Sequence, residues 1–204
     1  MENNSQQKSI NDSVIGFDQE ENKYIYIYMA SERSKLIKIV YGPSLQNMDD
    51  NACISPYLRN IVLNDSSVLN DENGICLDMK TDDKTFELVT NYINTYALED
   101  EYPEPEVPIT SEKLDTWMRN DKESTLFGKY RNMNDESKKD EYKILTSELI
   151  DLVNYSNYLM MGTLTKKIAA LIANAVKEKD PAYIKSLFEI REFIPFTEPV
   201  LAIK

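Results

Sequence analysis

The side chains that could do chemistry in this chain are carboxylates, two thiols and a pair of methionines. The acidic runs are Glu99-Asp100-Glu101, Asp49-Asp50 and Asp82-Asp83. Such runs can ligate a hard cation or act as paired general acids and bases, but only where oxygens from separated positions converge. None of these runs is followed by a partner at a converging spacing, so they read as solvated faces. Histidine is absent from all 204 residues. That removes His-based proton transfer, His-assisted nucleophiles and nearly every zinc or haem site. Cys53 and Cys76 sit among apolar neighbours and read as buried, inert thiols of a reducing compartment. Five scattered glycines form no phosphate-cradling loop. Met160-Met161 could line an adaptable groove, although core or turn packing explains the pair more simply. The sequence thus predicts no catalytic residue, no metal and no cofactor, in a chain that is not an enzyme and works by contact.

Charge narrows the contacts. With 35 acidic against 23 basic residues the net charge is −12, which repels phosphate backbones and anionic bilayers and attracts basic protein surfaces. No apolar run approaches the ~18–20 residues that span a bilayer. The start, Met1 to Glu21, lacks the apolar centre of a secretory signal. The expectation is therefore no nucleic acid, no membrane, and a cytoplasmic or nuclear location.

The elements that must position any contact surface follow from periodicity. Residues 1–21, rich in Asn, Gln, Ser and acids, read as a disordered tail. Tyr24–Met29 and Leu36–Tyr41 are β-branched and aromatic runs joined by a polar turn, a β-hairpin. The tyrosine run could be imagined as a base-stacking platform, which the net charge and the lack of a basic groove oppose. Apolar positions 54, 57, 58, 61 and 62 have helical spacing, with Ser55 as N-cap and Pro56 at the first helical position. Gly74–Leu77 is a brief strand. Thr81-Asp-Asp83 opens a helix whose buried stripe is Phe86, Val89, Ile93 and Ala97, widened by Tyr92 and Tyr96. Residues 98–141 are acidic, Pro-broken and charged, and read as a flexible insertion. Within it, Ile109–Trp117 forms a short helix and Trp117 packs. Thr146 or Ser147 caps a helix with Leu149, Leu152, Val153 and Ser156 on one face, and Gly162 breaks it. Leu164, Ile168, Leu171, Ile172, Ala175 and Val176 form the next stripe. Asp180-Pro181 opens a last helix with Ile184, Leu187 and Phe188. The expected fold class is α/β (α+β), a small three-stranded sheet covered by helices and followed by a helical extension.

The order of these pieces resembles the Skp1 family, BTB/POZ-fold adaptors of SCF-type ubiquitin ligases. Asn157-Tyr-Leu159 resembles the Asn-Tyr-Leu closing the family's central helix, with Leu149, Leu152 and Val153 at its apolar positions and Tyr155-Ser156 in place of two alanines. Ala173-Asn174, Pro181, Ile184, Phe188 and Ile190 follow at family spacing without a gap. Phe193-Ile-Pro195 resembles the family's Asp-Phe-Thr-Pro, one residue short. Upstream, Ile75-Cys-Leu77, Trp117 and the helix-opening Ser55 resemble family positions. The match covers most of 22–200 and is strongest from about 145 to 193. The chain departs from the pattern at Met160–Thr165, in the reduced acidic run at Phe196-Thr-Glu198, between Trp117 and Leu145, and in the little room left for the family's last helix.

The resemblance implies a BTB/POZ-like domain over 22–163, carrying the insertion at about 98–141, and Skp1-type helices over 164–204 for dimerisation or F-box binding. It implies an adaptor that links an F-box protein to a cullin. Asn157 and Tyr158 would meet the cullin, and Leu164, Leu171, Ala175, Ile184, Leu187, Phe188, Ile190 and Phe193 the F-box. Two further readings stand beside it: a Skp1-like structural subunit of a non-ligase complex that binds an F-box-like partner without a cullin, and a BTB-type homo-oligomer, such as a homodimer, or channel-tetramerisation-like module.

Overall fold

The structure, a computed structural model, describes residues 23–31, 35–99, 104, 110–131, 133 and 136–189. The expected tail at 1–21 and the site candidates Ile190 and Phe193 lie outside the described residues. The fold is mixed α/β and mainly helical, with one three-stranded sheet. Strand β1 (Tyr24–Met29) is central, flanked by β2 (Ile37–Val40) and β3 (Ile75–Leu77) in the order β2-β1-β3. β2 runs antiparallel to β1 with Ile25 opposite Ile39, and β3 runs parallel with Ile27 opposite Ile75.

Alternation along β1 decides which face is buried. Ile25, Ile27 and Met29 are at most 2% exposed, while Tyr24, Tyr26 and Tyr28 lie half-buried on the other face. The outer edge of β2 is closed by a side chain. Asn94 accepts a hydrogen bond from the Val40 amide (3.0 Å) and donates one to the Lys38 carbonyl (2.9 Å), so its amide stands where a fourth strand's peptide group would be.

Among the described residues there are eight helices: α1 (Pro43–Gln46), α2 (Pro56–Asn64), α3 (Asp83–Tyr96), α4 (Ser111–Trp117), α5 (Asp121–Phe127), α6 (Lys139–Tyr158), α7 (Gly162–Val176) and α8 (Pro181–Leu187). Three caps match the sequence expectation. Ser55 accepts from the Leu58 amide at 3.4 Å, Asp82 from Thr85 at 3.0 Å, and Asp180 from Ala182 and Tyr183 at 2.8 and 2.9 Å. Gly42 lets α1 start against the end of α3: a Cβ there would stand 2.1 Å from the Ala97 carbonyl oxygen. A single cluster of buried apolar residues runs from β1 through Phe86, Val89 and Ile93 of α3 to Leu149 and Leu152 of α6, then Leu164, Ile168 and Leu171 of α7, and ends at Leu187 of α8.

Four expectations are corrected. Residues 121–131, read as part of a looped-out insertion, carry α5 and a following 3₁₀ turn, and place Phe127 and Tyr130 at 0% and 1% exposure. Helix α6 begins at Lys139 rather than after Thr146, so Thr146 is an interior helical residue and not a cap. The α6–α7 break is made by Met160, at φ 57°, while Gly162 is the first residue of α7. Cys53 is buried, but Cys76 alternates to the open face of β3 and is exposed.

Candidate functional site

The junction of α2 with the end of α6 gathers polar and aromatic groups at the surface. Ser55 is the pin. While capping α2 it donates to the Leu159 carbonyl (2.8 Å), fixing the start of one helix to the last turn of the other. One turn on, Tyr57 packs against Tyr158 with ring centroids 5.0 Å apart and hydroxyls 3.1 Å apart. Tyr158 in turn stacks on the buried Tyr155 at 5.9 Å. The hydrogen bond with Tyr158, helped by burial, pushes the Tyr57 hydroxyl up to about 12.

Asn157 is exposed beside this pair, and its side-chain oxygen accepts from the Thr165 hydroxyl (3.2 Å). Thr165 also bonds Ser156 (2.8 Å), and the Met161 amide donates to the Ser156 carbonyl (2.8 Å). The turn is therefore held from both sides, which sustains Met160 in the left-handed region with its side chain 50% exposed. Tyr57, Asn157, Tyr158 and Met160 together form a firm, mixed apolar and amide surface. Of these, sequence reasoning assigned only Asn157 and Tyr158 to a site. Tyr57 lies about a hundred positions away and joins them only through the Ser55 pin.

The eight residues expected to form an F-box groove divide differently. Leu164, Leu171, Ala175 and Leu187 are at most 2% exposed and spend their surface on internal packing. Ile184 and Phe188 are half-buried on α8. Phe188 borders a groove of about 240 Å³ between α6 and α8, whose other apolar lining residues are Ile144 (64% exposed), Ile150 (38%) and the otherwise buried Leu187. Thr146 lines the same groove, with its hydroxyl oxygen buried and without a partner. Ile144 was missed because the helix was expected to start later, and Ile150 because it lies off the apolar stripe of Leu149, Leu152 and Val153. Tyr142, Leu145, Leu149 and Leu152 already carried helical spacing across that start.

A buried polar centre lies behind these surfaces. Lys167 of α7 and Glu123 of α5 are paired at 0% exposure, and Tyr96 donates its hydroxyl to the same Glu123 oxygen. The rings of Tyr92, Tyr96 and Trp117 stand 5.1, 5.1 and 5.8 Å from the Lys167 ammonium. Burial lowers the Lys167 pKa, with Glu123 opposing. Burial and the bond to Glu123 push Tyr96 well up. Its enclosure gives this centre no route to a substrate, and its three helices give it a role in holding α5 to α3 and α7.

Among the described residues no three Cys, Asp or Glu side chains come together as a metal site, and no helix is long and apolar enough to cross a membrane. Comparison of the chain with family models, with curated proteins and with solved structures finds no match.

Proposed function

We propose that the chain is a divergent Skp1-type adaptor that joins an F-box-type partner to a cullin-type partner and does no chemistry itself. The observation that carries this reading is the surface of exposed Asn157 and Met160 with half-buried Tyr57 and Tyr158, at the positions that the resemblance assigns to a cullin contact. The collinear pieces from about 145 to 193 support it, as does an element order that matches the strand–strand–helix–strand–helix expectation for a BTB/POZ-like half apart from the added one-turn α1. In this reading the F-box partner takes the α6–α8 groove, where Ile144, Ile150 and Phe188 supply exposed apolar area and Thr146 an unused hydroxyl. The protein acts in the cytoplasm or nucleus.

A second reading keeps the F-box-type partner and drops the cullin, as in a structural subunit of a non-ligase complex. It is favoured by the internal engagement of Tyr158 with Tyr57 and of Asn157 with Thr165. The two are separated by affinity purification of the tagged chain from cells that naturally express it. An F-box protein recovered with a cullin supports the first reading, an F-box-like protein without a cullin supports the second, and neither partner overturns both.

A further inference from the structure

Helix α8 is held in place at a cost that is visible at both of its ends and beside it. Residues 176–179, which join it to α7, form a turn closed by the Lys179 amide on the Val176 carbonyl (3.2 Å), with Lys177 at φ −57° and ψ 130°. Glu178 follows at φ 60°, the third position of a type II turn, which favours glycine. Past the other end of the helix Glu189 stands at φ 52°, again left-handed without being glycine. Beside α8 the Thr146 hydroxyl is buried without a partner, in a groove wall shared with Leu187 and Phe188. Against these costs, only Tyr183 and Leu187 of α8 are buried, at 7% and 2% exposure, and its main neighbour is the single helix α6.

We propose that α8 is a latch, which leaves α6 and returns while the rest of the core stays closed. Seven residues are too few to stay helical alone, so undocking and unwinding are one event. That event frees Glu178 and Glu189 from the left-handed region and lets water reach the Thr146 hydroxyl, so each stored cost favours the open form. Closure is favoured by the burial of Tyr183 and Leu187, by the Asp180 cap, and by the Lys139 and Lys179 ammoniums at 5.7 and 5.2 Å from the Tyr183 ring. Helix α5, equally short, is fastened more firmly, by Phe127 at 0% exposure and by the buried Glu123–Lys167 pair. The groove of about 240 Å³ is then the closed form of a longer strip along the first half of α6. An F-box-type partner that needs this strip binds only the open fraction, so the tightness of the latch sets its affinity. That consequence rests on the adaptor proposal, whereas the opening itself belongs to the free chain and is tested there.

The test is native-state hydrogen exchange of the full chain, followed by nitrogen-15 NMR at rising urea below the unfolding transition. The bonded amides of Ile184 and Phe188 should exchange about a hundredfold or more faster than those of Val89 and Ile93 in α3. Their rates should scarcely respond to urea while the α3 amides accelerate steeply, because a local opening exposes little surface. Glu178→Gly should slow the α8 amides about threefold, since it removes strain that only the closed form carries. Equal rates and equal urea response in α8 and α3 would overturn the latch, because α8 would then open only with the whole chain. Unchanged or faster α8 exchange in Glu178→Gly would overturn it too, by showing that no strain at the turn drives the opening.

Discussion

Lys167 sits on the same face of α7 as Leu164 and Leu171, three residues after one and four before the other, and takes its charge to 0% exposure beside Glu123. A buried pair of this kind adds little net stability, but removing one member strands the other's charge. Lys167→Met should therefore destabilise by about 3–5 kcal/mol in urea denaturation. Adding Glu123→Leu should recover most of that loss, and a double variant as unstable as the single would remove the pairing argument. The charge in the stripe was legible in the sequence as an anomaly. Its partner was not, because 44 positions separate them and only the fold sets them together. Tyrosines dominate the alkaline response. Tyr57, Tyr96, Tyr130 and Tyr155 all have hydroxyls raised above the ordinary value of 10, Tyr57 chiefly by its bond to Tyr158 and the others chiefly by burial. Above pH 10 the unfolded chain releases protons that the folded chain keeps, so the stability they contribute is complete below 10 and lost as pH rises through their folded values. Lys167, lowered from 10.5, works the other way just below that point, as one group against these four and Tyr41, which burial also raises. Denaturation midpoints between pH 8 and 11.5 should fall at the alkaline end. A midpoint that stayed level across that range would contradict the raised values of these hydroxyls.

At the scale of the element, the three strands and α7 were legible from apolar pattern alone, and α2, α3 and α8 because periodicity and caps agreed. Ser55-Pro56, Asp82 and Asp180-Pro181 mark helix starts by local chemistry that needs no tertiary context. Helix α5 was not legible. In its seven residues only Leu126 and Phe127 are apolar, which is too short for a periodic signal, and so short a helix is stabilised mainly by what it docks against. The start of α6 was missed for a related reason: Thr146-Ser147-Glu148 has the composition of a cap yet lies inside a longer run of helical spacing. Two substitutions check these assignments. Ser55→Ala removes both the α2 cap and the bond to the Leu159 carbonyl, and should cost about 2 kcal/mol in thermal or urea unfolding. A change below 0.5 kcal/mol, within the usual range of surface substitutions, would mean the pin is idle. Thr146→Val removes a buried hydroxyl that has no partner, so stability should be unchanged or slightly raised. A clear loss would show that the hydroxyl is bonded in the free chain.

Across the whole molecule, sequence pattern placed the helices better than it separated their core residues from their surface ones. Apolar spacing on α7 and α8 could not tell a core stripe from a docking stripe, and four of the eight candidates went to the core once α3, α6 and α7 closed together. The surface left over is Ile144, Ile150 and Phe188 on one side and Tyr57, Asn157, Tyr158 and Met160 on another. The proposed adaptor role makes these two sides separable. Phe188→Ala should weaken an F-box partner by about 2 kcal/mol, roughly thirtyfold, while cullin binding is retained. Asn157→Ala with Tyr158→Ala should do the reverse. The most direct measurement is light scattering of the purified chain mixed with a purified F-box segment and a purified cullin N-terminal domain, for the native sequence and both variants. A ternary complex from the native chain, and a different binary complex from each variant, is the outcome predicted. A native chain that stays alone with either partner, or variants that lose both partners together while still folded, would contradict the adaptor reading.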